Sequence, residues 1–209
     1  MIQFGRSARR NVEMTFEQAV AFVAASVARA DDRGRYMAIG VAAQFETMLR
    51  QKDVIGEWNR DSAGRETWGG TFNWENIPGG ILRLRTSKTG KEAVFDLTRL
   101  DMLWPLLQAV PQEQRQGAIV KGEHGKPIRE RSYRKWFRQI AREAGIPDEV
   151  WNMDSRAGAV TEALEAGADL SDVSRAATHS TEVMTRRYER RTQASILNVA
   201  DARKKARKS

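Results

Sequence analysis

The chain contains no cysteine and only two histidines, His124 and His179, far apart in the sequence. The first absence excludes disulfide scaffolds, thiol nucleophiles and thiolate zinc sites, and fits a reducing cytosol. The second argues against a His-rich metal site. Nowhere does an uninterrupted apolar run approach the roughly 18–20 residues of a membrane helix. The opening ten residues carry basic side chains, but no apolar segment of signal-peptide type follows them directly. The apolar stretch from Ala19 to Ala30 includes Arg29 and reads as a helix of a soluble protein.

What is present points to a globular domain. Six Trp, seven Phe and three Tyr, with 41% hydrophobic residues, exceed what a disordered chain carries and can build a core. A length of 209 residues suits one domain with small appendages. Lys and Arg number 35 against 27 Asp and Glu, a net charge of +8 concentrated in Arg129–Arg142 and Arg203–Lys208. A basic chain of this kind meets a polyanion, of which nucleic acid is the commonest.

Along the chain, residues 1–14 read as a loose leader. Thr15 with Gln18 three positions on forms a capping-box pattern opening a helix over Thr15–Ala30, with Phe16, Val20, Val23 and Val27 as its apolar stripe. Asp31–Gly34 breaks it, and a second helix is predicted over Arg35–Arg50. From Asn59 to Gly80 the composition is that of a long loop, with Trp58, Trp68 and Trp74 packing it. Ile81–Arg85 and Ala93–Leu97 alternate as two strands around the turn Ser87–Lys91, a β-hairpin with two lysines at its tip. After Thr98 helices are predicted at Arg99–Ala109, Glu130–Ala144, Ser155–Glu165, Leu170–Thr178, Thr181–Arg190 and Gln193–Ala206. The expected fold is mainly α with a small β-hairpin insertion.

Taken singly, the polar residues of interest have bland explanations: Arg50 ends a helix, Lys88 fills a turn, Arg156 starts a helix, His179 sits in a loop and Tyr188 in a core. Their order and spacing are more specific. Leu49-Arg50-Gln51-Lys52-Asp53 is followed by the Ser87–Lys91 turn, then Asp154-Ser155-Arg156, then Ala166-Gly167, then Thr178-His179-Ser180 and finally Tyr188. This series resembles the tyrosine recombinases, or phage integrases, over residues 15 to 200. That family shows an Arg box, a hairpin lysine, His-x-x-Arg, a helix ending in Ala-Gly, a Gly-His-Ser-like turn and a tyrosine.

The resemblance implies the fold of the recombinase catalytic domain over residues 15–192, with 193–209 as a terminal helix and basic tail docking on a neighbouring subunit. It implies a reaction on a DNA phosphodiester. Arg50 and Arg156 would fork onto the non-bridging oxygens, replacing a metal ion, so that no metal or other cofactor is required. Tyr188, a phenol of reference pKa near ~10, would be the nucleophile that forms a 3′-phosphotyrosine. Lys88 would protonate the leaving 5′-oxygen, and His179 would hydrogen-bond the phosphate. Asp53, one helical turn after Arg50, would orient that arginine. Arg131, Arg134, Lys135 and Arg138 would contact phosphates from a helix near the groove; a solvated basic face is the competing explanation.

The implied partners are double-stranded DNA and further copies of the chain, four on one DNA, with neither a membrane nor a small-molecule substrate. The implied setting is the bacterial cytoplasm. Integration or excision of a mobile element is the activity in view, with a type IB topoisomerase and a non-catalytic DNA-binding remnant as rivals.

Two departures stand out. Met153 occupies the place, three residues before Arg156, where the family carries a histidine or lysine base, and Ala157 replaces another frequent histidine. Either the base is dispensable, since such a group contributes about 10²–10⁴ in rate, or the chain is a weakened remnant. Family members also carry an N-terminal helical domain that closes a clamp on the duplex, whereas only the short leader precedes the first helix here. A catalytic fragment and a naturally short protein both fit that difference. A one-sided grip neutralises fewer phosphates.

Overall fold

A computed structural model describes residues 12–178 and 183–185. The first helix, α1 (Phe16–Ala28), opens as expected: the Gln18 amide donates to Thr15 Oγ1 at 3.2 Å, and the Thr15 amide donates to Gln18 Oε1 at 3.1 Å. Its packing face differs from the predicted stripe. Ala19, Phe22 and Ser26 are buried, while Phe16, Val20 and Val27 stay 43%, 42% and 51% exposed. The helix is apolar on nearly every side, so periodicity alone could not select the inner face. Its small residues let α2 approach closely, which decides the matter.

Helix α2 (Asp32–Glu46) is the spine of the molecule, buried without interruption from Tyr36 to Phe45. Asp31 caps it, its Oδ1 accepting the Gly34 amide at 2.6 Å, a contact worth about 1 kcal/mol. The helix stops four residues before the predicted end. Thr47 Oγ1 donates back to the Ala43 carbonyl and Met48 turns left-handed at φ 54°, so Arg50 begins a new helix instead of closing an old one. That helix is α3 (Gln51–Ile55).

The stretch expected as a long loop contains an antiparallel hairpin, β1 (Glu57–Arg60) and β2 (Glu66–Gly69), with Trp58 opposite Trp68. Asp61 closes its turn by accepting the Ala63 and Arg65 amides at 2.9 Å each. Trp68 donates to the Ile55 carbonyl at 3.0 Å and lies on Gly56, where a Cβ would be 2.4 Å from the indole nitrogen. The predicted second hairpin is present as β3 (Ile81–Arg85) and β4 (Glu92–Asp96), pairing Leu84 with Ala93 and Arg85 with Glu92. The two hairpins form separate sheets.

Further helices are α4 (Leu103–Gln108), α5 (Glu130–Glu143), α6 (Asp154–Glu165) and α7 (Leu170–Ala176). The predicted Arg99–Ala109 helix divides into a single 3-10 turn at Leu97–Arg99 followed by α4. Glu46 receives the Met102 and Leu103 amides at 3.1 and 2.8 Å at the start of α4. Helix α5 buries Tyr133, Trp136, Phe137 and Ile140, with Phe137 stacked on Phe22 at 4.9 Å between ring centres. The Tyr133 hydroxyl, fully buried, donates to Gln44 Oε1 at 2.7 Å; burial pushes its pKa far up, so it stays a neutral donor.

The end of the expected leader is packed rather than loose. Met14 is fully buried, its amide donating to the Asp154 carbonyl at 3.2 Å. Gly158 makes this possible, since a Cβ there would stand 1.6 Å from the Met14 carbonyl oxygen. The predicted Gln193–Ala206 helix lies outside the described residues, and of Thr181–Arg190 only Val183–Thr185 are described, in helical conformation. No helix among the described residues is long and apolar enough to cross a membrane.

Candidate active site and nucleic-acid interface

The break between α2 and α3 sets the site. Arg50 caps α3 in an extended conformation, and its Nη1 donates to Thr178 Oγ1 at 3.4 Å, just past the end of α7. Arg156, in the first turn of α6, reaches the same two segments. Its Nη1 donates to the Met48 carbonyl at 2.5 Å and its Nη2 to the Ala177 carbonyl. Two guanidinium groups distant in sequence therefore meet between residues 48–50 and 177–178. Thr178 is itself left-handed at φ 50° and buried.

Asp53 ties the hairpin to this point. It is 2% exposed; its Oδ2 accepts the Arg50 amide at 3.3 Å and its Oδ1 the Ser87 amide at 2.6 Å. Its bonds run to the backbone of Arg50 rather than to the guanidinium, so it fixes where Arg50 starts and, with the same carboxylate, where the turn bearing Lys88 sits. Lys88 is exposed at that turn, next to the anchored residue. His179 and Tyr188 lie outside the described residues.

A cleft of about 590 Å³ opens beside Arg50, lined also by Lys52, Trp58, Arg129, Arg131 and Met153. Met153 is 50% exposed there. Of the four basic residues expected on α5, Arg131 lines this cleft, and Arg134 is exposed with Glu130 at 3.8 Å. Lys135 is exposed. Arg138 is engaged elsewhere: it donates to the Val150 and Pro147 carbonyls at 2.6 and 3.3 Å and pairs with Asp148 at 3.2 Å. Those bonds pin the loop after α5, which removes Arg138 from the surface row.

The sequence reading gave Trp58 a loop-packing role and gave Lys52 and Arg129 no role in the site. Arg129 stacks over the Trp58 ring at 4.6 Å, so this tryptophan lines a cleft besides packing its hairpin. The only hint was the basic residue immediately ahead of α5; the pairing itself is non-local. Among the described residues no group of three or more His, Asp or Glu could hold a metal ion.

Residues 69–195 match the model of the phage integrase family. The chain belongs to that family. Phage integrases are tyrosine-type site-specific recombinases, and the fold agrees. The XerA recombinase structure superimposes with a TM-score of 0.59 at 15% identity over 90% of this chain and 61% of that one. A lambda integrase dimer bound to a COC′ core site gives 0.62 at 14% identity over 86% and 63%. The lambda integrase catalytic core gives 0.59 at 13% identity, with 80% and 91% covered. The chain thus spans less than two thirds of the first two structures' length and most of the catalytic core alone. No curated protein matches the sequence.

Proposed function

We propose that this integrase cleaves and rejoins strands of double-stranded DNA through a covalent 3′-phosphotyrosine, moving a mobile element by integration or excision. The observation that carries this reading is the meeting of Arg50 and Arg156 at residues 177–178, directly ahead of His179, with the Lys88 turn held to the same place through Asp53.

The chemistry follows from that arrangement. A phosphodiester seated by the paired guanidiniums has its developing negative charge met by fixed cations, which need no reorganisation as the reaction proceeds. The Tyr188 hydroxyl releases its proton to water as its oxygen attacks phosphorus; the bond to the 5′-oxygen breaks and that oxygen takes a proton from the Lys88 ammonium. The phosphate ester is conserved in the enzyme–DNA bond, so the reverse attack by a 5′-hydroxyl reseals a strand without an external energy source. His179 donates a hydrogen bond to the phosphate. Arg131, Arg134 and Lys135 hold flanking backbone. The lambda integrase dimer on its core site supports an assembly of several copies on one duplex.

One observation favours a second reading, a chain of this fold that binds DNA and reacts poorly. Met153 exposes a thioether, which accepts no proton, in the cleft beside Arg50. A pool of partly randomised duplexes nicked near their centre separates the two, because loss of the short strand traps any covalent intermediate. The expected result is a denaturant-resistant protein–DNA adduct with the parent chain and none with Tyr188→Phe. Salt-sensitive retention of DNA without adduct would establish the binder instead. Arg156→Ala should abolish the adduct and keep much of the binding; parallel loss of both from a folded variant would contradict its role.

A further inference from the structure

The cleft beside Arg50 carries more cations than carboxylates, and their pairing is uneven. Lys52 Nζ lies 2.5 Å from Glu57 Oε2 at the start of β1. Arg129 donates through both terminal nitrogens to Glu66 on β2, which also takes Arg60 at 3.3 Å. Glu130, on the rim, faces Arg134. Arg50 and Arg131 pair with no carboxylate among the described residues. Both acidic partners of the cleft's cations therefore come from one element, the β1–β2 hairpin. Trp58 of that hairpin lies under Arg129 and keeps a buried indole N–H with no acceptor among the described residues.

From this we infer that the cleft is a second phosphate subsite, formed by Lys52, Arg129 and Arg131, on which Glu57 and Glu66 act as resident anions that a DNA backbone phosphate displaces. The inference rests on the DNA-cleaving reading above and adds to it the place of the neighbouring phosphate. Lys52, Arg129, Glu57 and Glu66 are 50%, 51%, 46% and 34% exposed. Ion pairs so open to water are weak and exchange readily. A phosphodiester offers the same charge and, in leaving its counterion atmosphere, a gain in entropy that an internal carboxylate does not. The Arg129 contact holds the Glu66 carboxyl below its ordinary range, so the hairpin's charge persists wherever DNA would bind. Hairpin strands with little buried surface can shift without disturbing the core, and a shift would uncover the indole donor as well.

The test is anisotropy of a fluorescein-labelled 30-bp duplex of arbitrary sequence, titrated with the full chain between about 50 and 200 mM salt. Lys52→Ala, Arg129→Ala and Arg131→Ala should each weaken binding several-fold and flatten the log–log salt slope by about 0.9, the value for one lost phosphate contact. Glu57→Gln and Glu66→Gln should each tighten it about two- to fivefold, the scale of an exposed ion pair. Arg99→Ala, a surface charge paired with Asp96, calibrates the loss of one charge alone. Circular dichroism verifies that each variant is folded. Both glutamine variants binding like the parent, or Arg131→Ala behaving like Arg99→Ala, would overturn the subsite while leaving the DNA reading standing. A parent chain without salt-dependent duplex binding would overturn the DNA reading itself.

Discussion

Two hairpins of similar size are built by opposite means. In β3–β4, Leu82, Leu84 and Ala93 turn inward and are nearly or wholly buried, so the ladder is one wall of the core. In β1–β2 no residue is buried; the strands are held by the Trp58–Trp68 pair, the seat of Trp68 on Gly56 and ion pairs to neighbouring elements. The first carries the turn of Lys88 on a buried base. The second presents carboxylates that salt or a competing anion can detach. Apolar burial gives a fixed platform, and exposed charge gives an exchangeable one.

Substitutions sharpen that contrast. Leu82→Ala should have the largest effect, about 2–5 kcal/mol of stability lost in urea unfolding, because a fully buried leucine leaves a cavity. Next is Asp53→Asn, which turns one acceptor into a donor facing a backbone amide. A loss of about 1–3 kcal/mol is expected, with adduct formation on nicked duplex reduced at least tenfold. Stability loss without any change in adduct yield would show that the Lys88 turn holds its place unaided. Trp68→Ala should cost about 1–2 kcal/mol, from a half-buried cross-strand pair and one hydrogen bond. The smallest effect separates the hairpins most directly. Raising salt to about 1 M, where the screening length falls to about 3 Å, should speed amide exchange in β1–β2 and leave β3–β4 unchanged. Equal acceleration in both would remove the distinction.

The same contrast explains what could be read from the residues. Ile81–Arg85 alternates because one face meets the core, and its strand was legible; Glu57–Arg60 has no inner face, so its strand left no pattern. The Thr15 capping box was local and legible, whereas the burial of Ser26 in place of Val27 depends on α2, which no window around α1 contains. The end of α2 at Glu46 hangs on one threonine bond and a left-handed methionine. The candidate site was legible as an order of residue types, Arg50, Lys88 and Arg156. What it lacked was the carboxylate of Asp53 as the link between two of them, and the cleft cations Lys52 and Arg129. Those are contacts across long sequence separations, and Arg138 shows the converse, a basic helix residue claimed by its own following loop.

The seat of Met14 over Gly158 has a mechanical consequence. Gly158 is two residues beyond Arg156, within the same helical turn. Any methyl group introduced there must push the segment at Met14 outward or tilt the helix, and tilting swings the Arg156 guanidinium off both carbonyls it grips. The smallest side chain in α6 thus acts as a shim whose thickness sets the aim of Arg156.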